Sequence, residues 1–158
     1  MRPTTDLREC LACSCFAVRR AARAITQHYD RHLRPSGLRA TQFTLLVVLA
    51  LEGRKPLGQI ADRLGTERTT LTRNLRPLVA RGLVVVGAHP DRRIQLLEAS
   101  PRGVAAAWNA LPLWRKAQRS IAGFFTPGAL RSLEMATQAA SRARSPGSTR
   151  STGRKKEG

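Results

Sequence analysis

Two short helices, each with an apolar side and separated by a glycine, constrain the fold of this chain more than any other feature of its sequence. The first is predicted by apolar residues at helical spacing before Gly65, namely Leu57, Ile60, Ala61 and Leu64. The second is predicted in the same way by Leu71, Leu75, Leu78 and Val79. Thr66 is expected to be its N-cap, Glu67 to lie in its first turn, and Gly82 to end it. Two helices joined by a tight glycine-containing turn are typical of a helix-turn-helix.

A β-hairpin is predicted directly after this pair of helices. Leu83 to Gly87 and Arg93 to Leu97 have the residue types of short strands, and Pro90 and Asp91 mark the turn between them. The order helix, helix, hairpin is the layout of a winged helix. We therefore predict a mainly α fold with a small β-hairpin wing, in the α+β class.

Longer helices are predicted on both sides of this motif. An amphipathic helix from Cys13 to Leu33 is broken by Pro35 to Gly37, and a strongly apolar helix runs from about Ala40 to Leu51, followed by a loop from Glu52 to Pro56. A helix is expected to begin at Ser100-Pro101, with proline at its first position, to kink at Pro112 and to run to about Gly123. A last helix is expected to begin in the same way at Thr126-Pro127. The predicted domains are an N-terminal dimerisation helix (1–36), a winged helix-turn-helix (37–99), C-terminal dimerisation helices (100–140) and a disordered basic tail (141–158).

Charge and cysteine content indicate the kind of partner that the protein binds and the compartment in which it works. The 158 residues include 28 Lys and Arg but only 10 Asp and Glu, and the folded part is itself basic, which favours a polyanionic partner. The absence of a secretory signal and of a membrane-length apolar stretch predicts a cytoplasmic protein with no membrane partner. Three cysteines crowded near one end, Cys10, Cys13 and Cys15, do not form a distributed disulfide framework, and this fits a reducing compartment.

The second helix of the pair carries the candidate DNA-binding residues. At about 100° per residue, Thr69, Arg73 and Arg76 fall opposite its apolar side. Three further residues, at the N-terminal turn and on the flank, have side chains suited to base edges and phosphates: Arg68, Thr70 and Thr72. At the hairpin tip, Arg92 and Arg93 can reach a minor groove. No aromatic residue lies between Arg54 and Arg93, so duplex DNA is favoured over single strands.

Four segments resemble the MarR family of bacterial transcription regulators, and the resemblance covers most of Cys15 to about Ala140. They are LRATQFTLL (Leu38 to Leu46), TERTTLTRNLRPLVARGLV (Thr66 to Val84), DRR (Asp91 to Arg93) and SPRG (Ser100 to Gly103). The resemblance implies a homodimer, held by its first and last helices, that binds palindromic operators and is released by a small molecule or by oxidation. It also implies that Arg93 reaches a minor groove and that Asp91 helps to hold it.

Three other groups of residues are candidate sites. Cys10, Cys13 and Cys15 suit reversible oxidation, with Arg19 and Arg20 near enough in sequence to stabilise a thiolate, or capture of a soft metal or arsenical, or are reduced thiols without a role. His28 and His32 share a helical face with Asp30 between them, but a packed or solvated pair at the dimer helix is favoured over a metal site. Tyr29, Phe43 and Trp108 are candidates for an apolar pocket that takes a small aromatic or phenolic effector, or belong to the core.

These features together predict a sequence-specific regulator of transcription that acts on double-stranded DNA as a homodimeric repressor. No phosphate loop or nucleophile motif is present in the sequence, so neither an enzyme nor a cofactor is expected. The alternative is an architectural, nucleoid-type protein that binds DNA through charge alone, which the basic tail favours.

Overall fold

Six α-helices and a three-stranded sheet make up the described part of the chain. The computed structural model describes residue 7 and residues 9–91 and 93–143. The elements are α1 (Ser14–Leu33), α2 (Ala40–Glu52), β1 (Lys55–Pro56), α3 (Leu57–Arg63), α4 (Arg68–Ala80), β2 (Val84–Gly87), β3 (Leu96–Ala99), α5 (Pro101–Ile121) and α6 (Pro127–Ala143). The described residues up to Arg119 form one compact unit, and those from Ser120 onward form a second. The predicted fold class, mainly helical with a small antiparallel sheet, is confirmed.

Helix α2 lies at the centre of the core. Its residues Leu45, Leu46 and Leu49 are fully buried together with side chains from α1, α3, α4 and β3, among them Leu33, Ile60, Leu71, Leu78 and Leu97. The prediction that α2 is buried on most sides fails at its C-terminal end, where Leu51 is 81% exposed. Helix α5 approaches the backbone of Leu83 closely because Gly103 has no side chain. An added Cβ at Gly103 would collide with the Leu83 carbonyl.

A side chain of α1 determines where α2 begins. The Asp30 carboxylate accepts a hydrogen bond of 2.7 Å from the backbone N–H of Ala40, the first residue of α2. Gln42 folds back to accept from the Arg39 N–H at 3.0 Å. The chain reverses between the two helices at Gly37, whose φ of +68° suits glycine. As a result α1 and α2 are joined by side-chain contacts as well as by the chain.

The sheet differs from the predicted hairpin by one added strand. Its order is β1-β3-β2, with Lys55 opposite Leu97 and Gly87 opposite Leu96. The segment predicted as a loop therefore contributes an edge strand, a position in which Pro56 is tolerated. The prediction that the last strand begins at Arg93 is wrong, because Asp91 holds a turn in which its carbonyl accepts from the Ile94 N–H at 3.0 Å.

Two predicted helix boundaries also need correction. Helix α4 begins after Glu67 rather than after Thr66, because its first hydrogen bond runs from the Leu71 N–H to the Glu67 carbonyl, at 2.9 Å. Helix α6 continues to Ala143, beyond the predicted start of the tail at Ser141. The rest of that tail, 144–158, and Arg92 lie outside the described residues. None of the described helices has the length and apolarity needed to cross a membrane.

Candidate nucleic-acid interface

Helix α4 presents a polar face to solvent and anchors itself in the core through the opposite face. Leu71, Leu75 and Leu78 are buried, as their spacing predicts. Thr69, Arg73 and Arg76 are exposed, and we refer to these three residues as the outward face. Val79, predicted on the apolar side, is 39% exposed at the end of the helix. The outward face is cationic, and no other described residue covers it, which is the arrangement a groove-binding helix requires.

The N-terminal turn of α4 holds the remaining predicted residues in different environments. Thr70 is exposed, whereas the Thr72 hydroxyl donates to the Arg68 carbonyl at 2.8 Å and is left with only its acceptor lone pairs. The Arg68 guanidinium packs over Gly58 of α3, where an added Cβ would lie 2.9 Å from Nη2. The structure thus brings Arg68 against the other helix of the pair, which its residue type alone does not reveal.

The wing tip is ordered by Asp91. Its carboxylate accepts a 2.9 Å hydrogen bond from the backbone N–H of Arg93, and its own N–H donates to His89 Nδ1 at 3.0 Å. The Arg93 side chain is exposed. Asp91 therefore holds Arg93 through the backbone and leaves the guanidinium available to a partner.

Two arginines that the sequence interpretation missed make contacts between distant parts of the chain, one at the wing and one at the end of α4. The Arg54 guanidinium packs against Gly87 at the base of the wing, in the space that a Cβ would occupy. Arg81, at the C-terminal end of α4, donates to the Gly37 carbonyl at 2.8 Å. A glycine inside a predicted strand is a signal of close approach, so Gly87 could have indicated the first contact. Nothing in the local sequence indicates the second, which joins residues 44 positions apart.

The aromatic candidates do not form the predicted group. Phe43 is buried and stacks on Trp114, with ring centroids 6.3 Å apart, whereas Trp108 is 67% exposed. The expectation that Trp108 lies with Phe43 is therefore wrong within this protomer, and Trp114 takes that place. The Tyr29 hydroxyl donates to Gln118 Oε1, and burial raises the pKa of this phenol.

The two histidines of α1 are arranged as a packed pair. The ring centroids of His28 and His32 are 4.5 Å apart, and His28 Nε2 hydrogen-bonds the Ala117 carbonyl at 3.2 Å. His32 Nδ1 forms a hydrogen bond of 3.0 Å with the His28 carbonyl. The Asp30 carboxylate accepts its hydrogen bond from the Ala40 N–H of α2. Among the residues that the structure describes, no group of three potential ligands could hold a metal ion.

The three cysteines are exposed free thiols, but they do not lie on one continuous helix. Cys10 belongs to a 3-10 helix, Glu9–Ala12, whereas Cys15 is in the first turn of α1. Cys13 is the N-cap of α1, and its sulfur accepts from the Phe16 N–H at 3.3 Å. The Arg20 guanidinium lies over the Phe16 ring, 5.6 Å from its centroid.

Comparison with known proteins places this arrangement among DNA-binding regulators. A family model described as MarR family matches residues 36–94. The M. tuberculosis transcriptional regulator MosR, solved in complex with DNA, is 43% identical and superposes with a TM-score of 0.77 over 84% of this chain and 98% of its own. MhqR of Bacillus subtilis, an HTH-type transcriptional regulator, is 30% identical over 94 residues, which are 59% of this chain and 65% of MhqR, slightly under two thirds of its length. A mutant E. coli MarR complexed with operator DNA shares the fold at 20% identity, with a TM-score of 0.66 over 78% of this chain and 90% of its own.

Proposed function

This chain belongs to the MarR family of transcriptional regulators, and we propose that it acts as a homodimeric repressor on palindromic operators in double-stranded DNA. The observation that carries the proposal is the cationic outward face of α4, exposed opposite a buried leucine face and accompanied by an ordered wing with an exposed arginine. The likeness to MosR, whose structure contains DNA, supports it. Binding to the chromosome would place the protein in the cytoplasm, and the proposal assigns it no catalytic role.

Sequence-specific binding requires both reading of bases and neutralisation of phosphates. The outward face and Thr70 supply hydroxyls and guanidinium groups suited to base edges in a major groove. Arg93 supplies a cation at the wing tip, where a narrow minor groove has its most negative potential. Two copies related by a two-fold axis would place two α4 helices in successive major grooves, about 34 Å apart, and a palindrome has the matching symmetry.

The test is selection of genomic fragments by the purified protein, followed by competition with random duplex. A specific regulator recovers a few fragments that share a palindrome and retains them when random DNA is present in excess. Recovery of fragments without a shared sequence, all displaced equally by random DNA, would contradict the proposal. That result would favour the architectural alternative, because a formal net charge of +18 is enough for non-specific binding to DNA.

We further propose that DNA binding is released either by a small aromatic or phenolic effector or by thiol oxidation. Tyr29 and the Phe43–Trp114 pair support the first route, since they combine a phenolic hydrogen bond with stacked rings beside α1 and α2. Three exposed thiols at the start of α1 support the second. Either signal would act by changing the spacing of the two α4 helices in the dimer.

A further inference from the structure

We propose that Arg68 contacts the DNA phosphate backbone rather than a base, and that Gly58 positions its guanidinium for that contact. Base reading then belongs to Thr70 and the outward face, Thr69, Arg73 and Arg76. The inference rests on the proposed function insofar as it assumes duplex DNA as the partner. It goes further by dividing the basic residues of α4 into one that sets affinity and others that set sequence preference.

The packing of Arg68 on Gly58 is the first observation. An added Cβ at Gly58 would lie 2.9 Å from Nη2, 3.3 Å from Cζ and 3.5 Å from Nε of Arg68. Three atoms of the planar group are thus close to the same point above α3, so the guanidinium lies over the glycine backbone. No side chain larger than hydrogen fits between them without moving Arg68. The positive charge of Arg68, a residue of α4, therefore lies on the surface of α3.

The position of Arg68 around α4 is the second, independent observation. Arg68 precedes the buried Leu75 by seven residues, and at about 100° per residue the two lie only about 20° apart around the helix. Arg73, five residues after Arg68, lies about 140° away. The Arg68 side chain therefore leaves α4 on the side that packs into the protein and not on the outward face.

The docking geometry of a helix-turn-helix converts this placement into a role. The second helix of the motif enters the major groove, while the first helix crosses the sugar-phosphate backbone at the edge of the groove. A guanidinium held on α3 meets that backbone, where its planar fork can bind phosphate oxygens in a bidentate manner. Contacts of this kind fix register and add affinity but carry no sequence information.

The experiment compares two substitutions at the ends of the same contact. Arg68→Ala removes the charge, whereas Gly58→Ala keeps Arg68 but fills the space under its guanidinium. Because the displaced atoms are the far end of a flexible side chain, and alanine is the better helix former, Gly58→Ala leaves the fold intact. Gly123→Ala is the matched control, since an added Cβ at Gly123 meets no atom within 4 Å. Thermal unfolding of each variant verifies folding.

Affinities are measured for the selected operator and for a random duplex over a series of salt concentrations. We expect Arg68→Ala to weaken binding to both DNAs by the same factor, about tenfold. The dependence of affinity on salt should fall by about one charge per subunit. Gly58→Ala should give a smaller loss of the same uniform kind, and the double variant should match Arg68→Ala alone. Arg73→Ala, in contrast, should lower affinity for the operator more than for random DNA.

Three results would overturn the inference. Loss of operator binding by Arg68→Ala with unchanged binding of random duplex would make Arg68 a base reader. Unchanged binding of both DNAs would remove Arg68 from the interface. Additive effects in the double variant would show that Gly58 does not act through Arg68. The random duplex also separates this test from the proposed function, because the uniform loss is measurable on it even if no operator is found.

Discussion

At the scale of single residues, the division of α4 into a buried face and an outward face is what the sequence determines most firmly about the candidate interface. Leucines at intervals of three and four bury one side of the helix, so the exposure of Thr69, Arg73 and Arg76 follows from spacing alone. The same reasoning fails for the two tryptophans of α5. Trp108 and Trp114 both fit the apolar pattern, and which of them meets Phe43 depends on how α5 packs against α2, a tertiary contact that local spacing does not encode.

The role of Arg73 can be measured directly. Arg73 is exposed in the middle of the outward face, so Arg73→Ala removes the proposed contact to DNA without opening a cavity. We expect operator binding to weaken by about 1 to 3 kcal/mol, with an unchanged thermal unfolding midpoint. Titration of labelled operator gives the affinity. A folded variant that binds the operator as tightly as the natural protein would exclude Arg73 from the interface.

Arg93 tests the wing in a different way. Arg93→Ala should lower affinity and flatten the dependence of affinity on salt, because one charged contact per subunit is lost. The control is Arg115→Ala, which removes an equal charge from an exposed position on α5. If the two variants show the same salt dependence as the natural protein, or the same as each other, the wing makes no charge contact of its own.

At the scale of elements, long periodic helices were predictable, whereas short strands and helix ends were not. Strand β1 has only two residues, Lys55 and Pro56, and acquires its identity by pairing with β3. No periodicity exists in two residues. Helix α4 starts one position later than predicted, because the carbonyl that accepts its first hydrogen bond belongs to Glu67 and not to Thr66. Two adjacent polar residues offer the same signal to a sequence-based prediction, so such a boundary is fixed only by the backbone.

The base of the wing offers a prediction about element stability. Gly87→Ala should destabilise the protein by about 1 kcal/mol, because the added Cβ overlaps the Arg54 guanidinium and must displace it. In an Arg54→Ala background the same substitution should cost almost nothing. Thermal unfolding of the four proteins in this cycle measures the coupling. An equal cost of Gly87→Ala in both backgrounds would mean that Arg54 does not brace the wing.

At the scale of the whole molecule, exposed apolar side chains on α1 and on α6 support the proposed homodimer. Leu130 and Leu133 on α6 are 46% and 43% exposed, and Ala21 on α1 is exposed, whereas Ile25 and Val104 are half-buried. We expect light scattering at micromolar concentration to report a dimer, and Leu133→Asp to shift it toward monomer because a charge would be buried in the interface. A monomer in the natural protein would contradict the proposed assembly.

The thiol route can be separated from the effector route with one variant. Mild peroxide would oxidise one thiolate to a sulfenic acid, which a second thiol converts to a disulfide with release of water. If this is the signal, peroxide lowers operator affinity at least tenfold, about 1.4 kcal/mol of coupling, and the variant with serine at Cys10, Cys13 and Cys15 does not respond. Equal responses in both proteins would eliminate the thiols and leave an effector near Phe43 and Trp114.

The carboxylate that starts α2 has a consequence for modularity. Asp30 belongs to the helix assigned to dimerisation, yet it satisfies the first amide of the helix at the centre of the core. Leu33 of the same helix is fully buried, and Arg81 reaches back to the Gly37 carbonyl. A fragment cut at residue 37 would lose a cap and a core side chain together. This regulator is therefore expected to be inherited, exchanged and engineered as one piece, and its winged helix is a poor candidate for grafting onto another dimerisation scaffold.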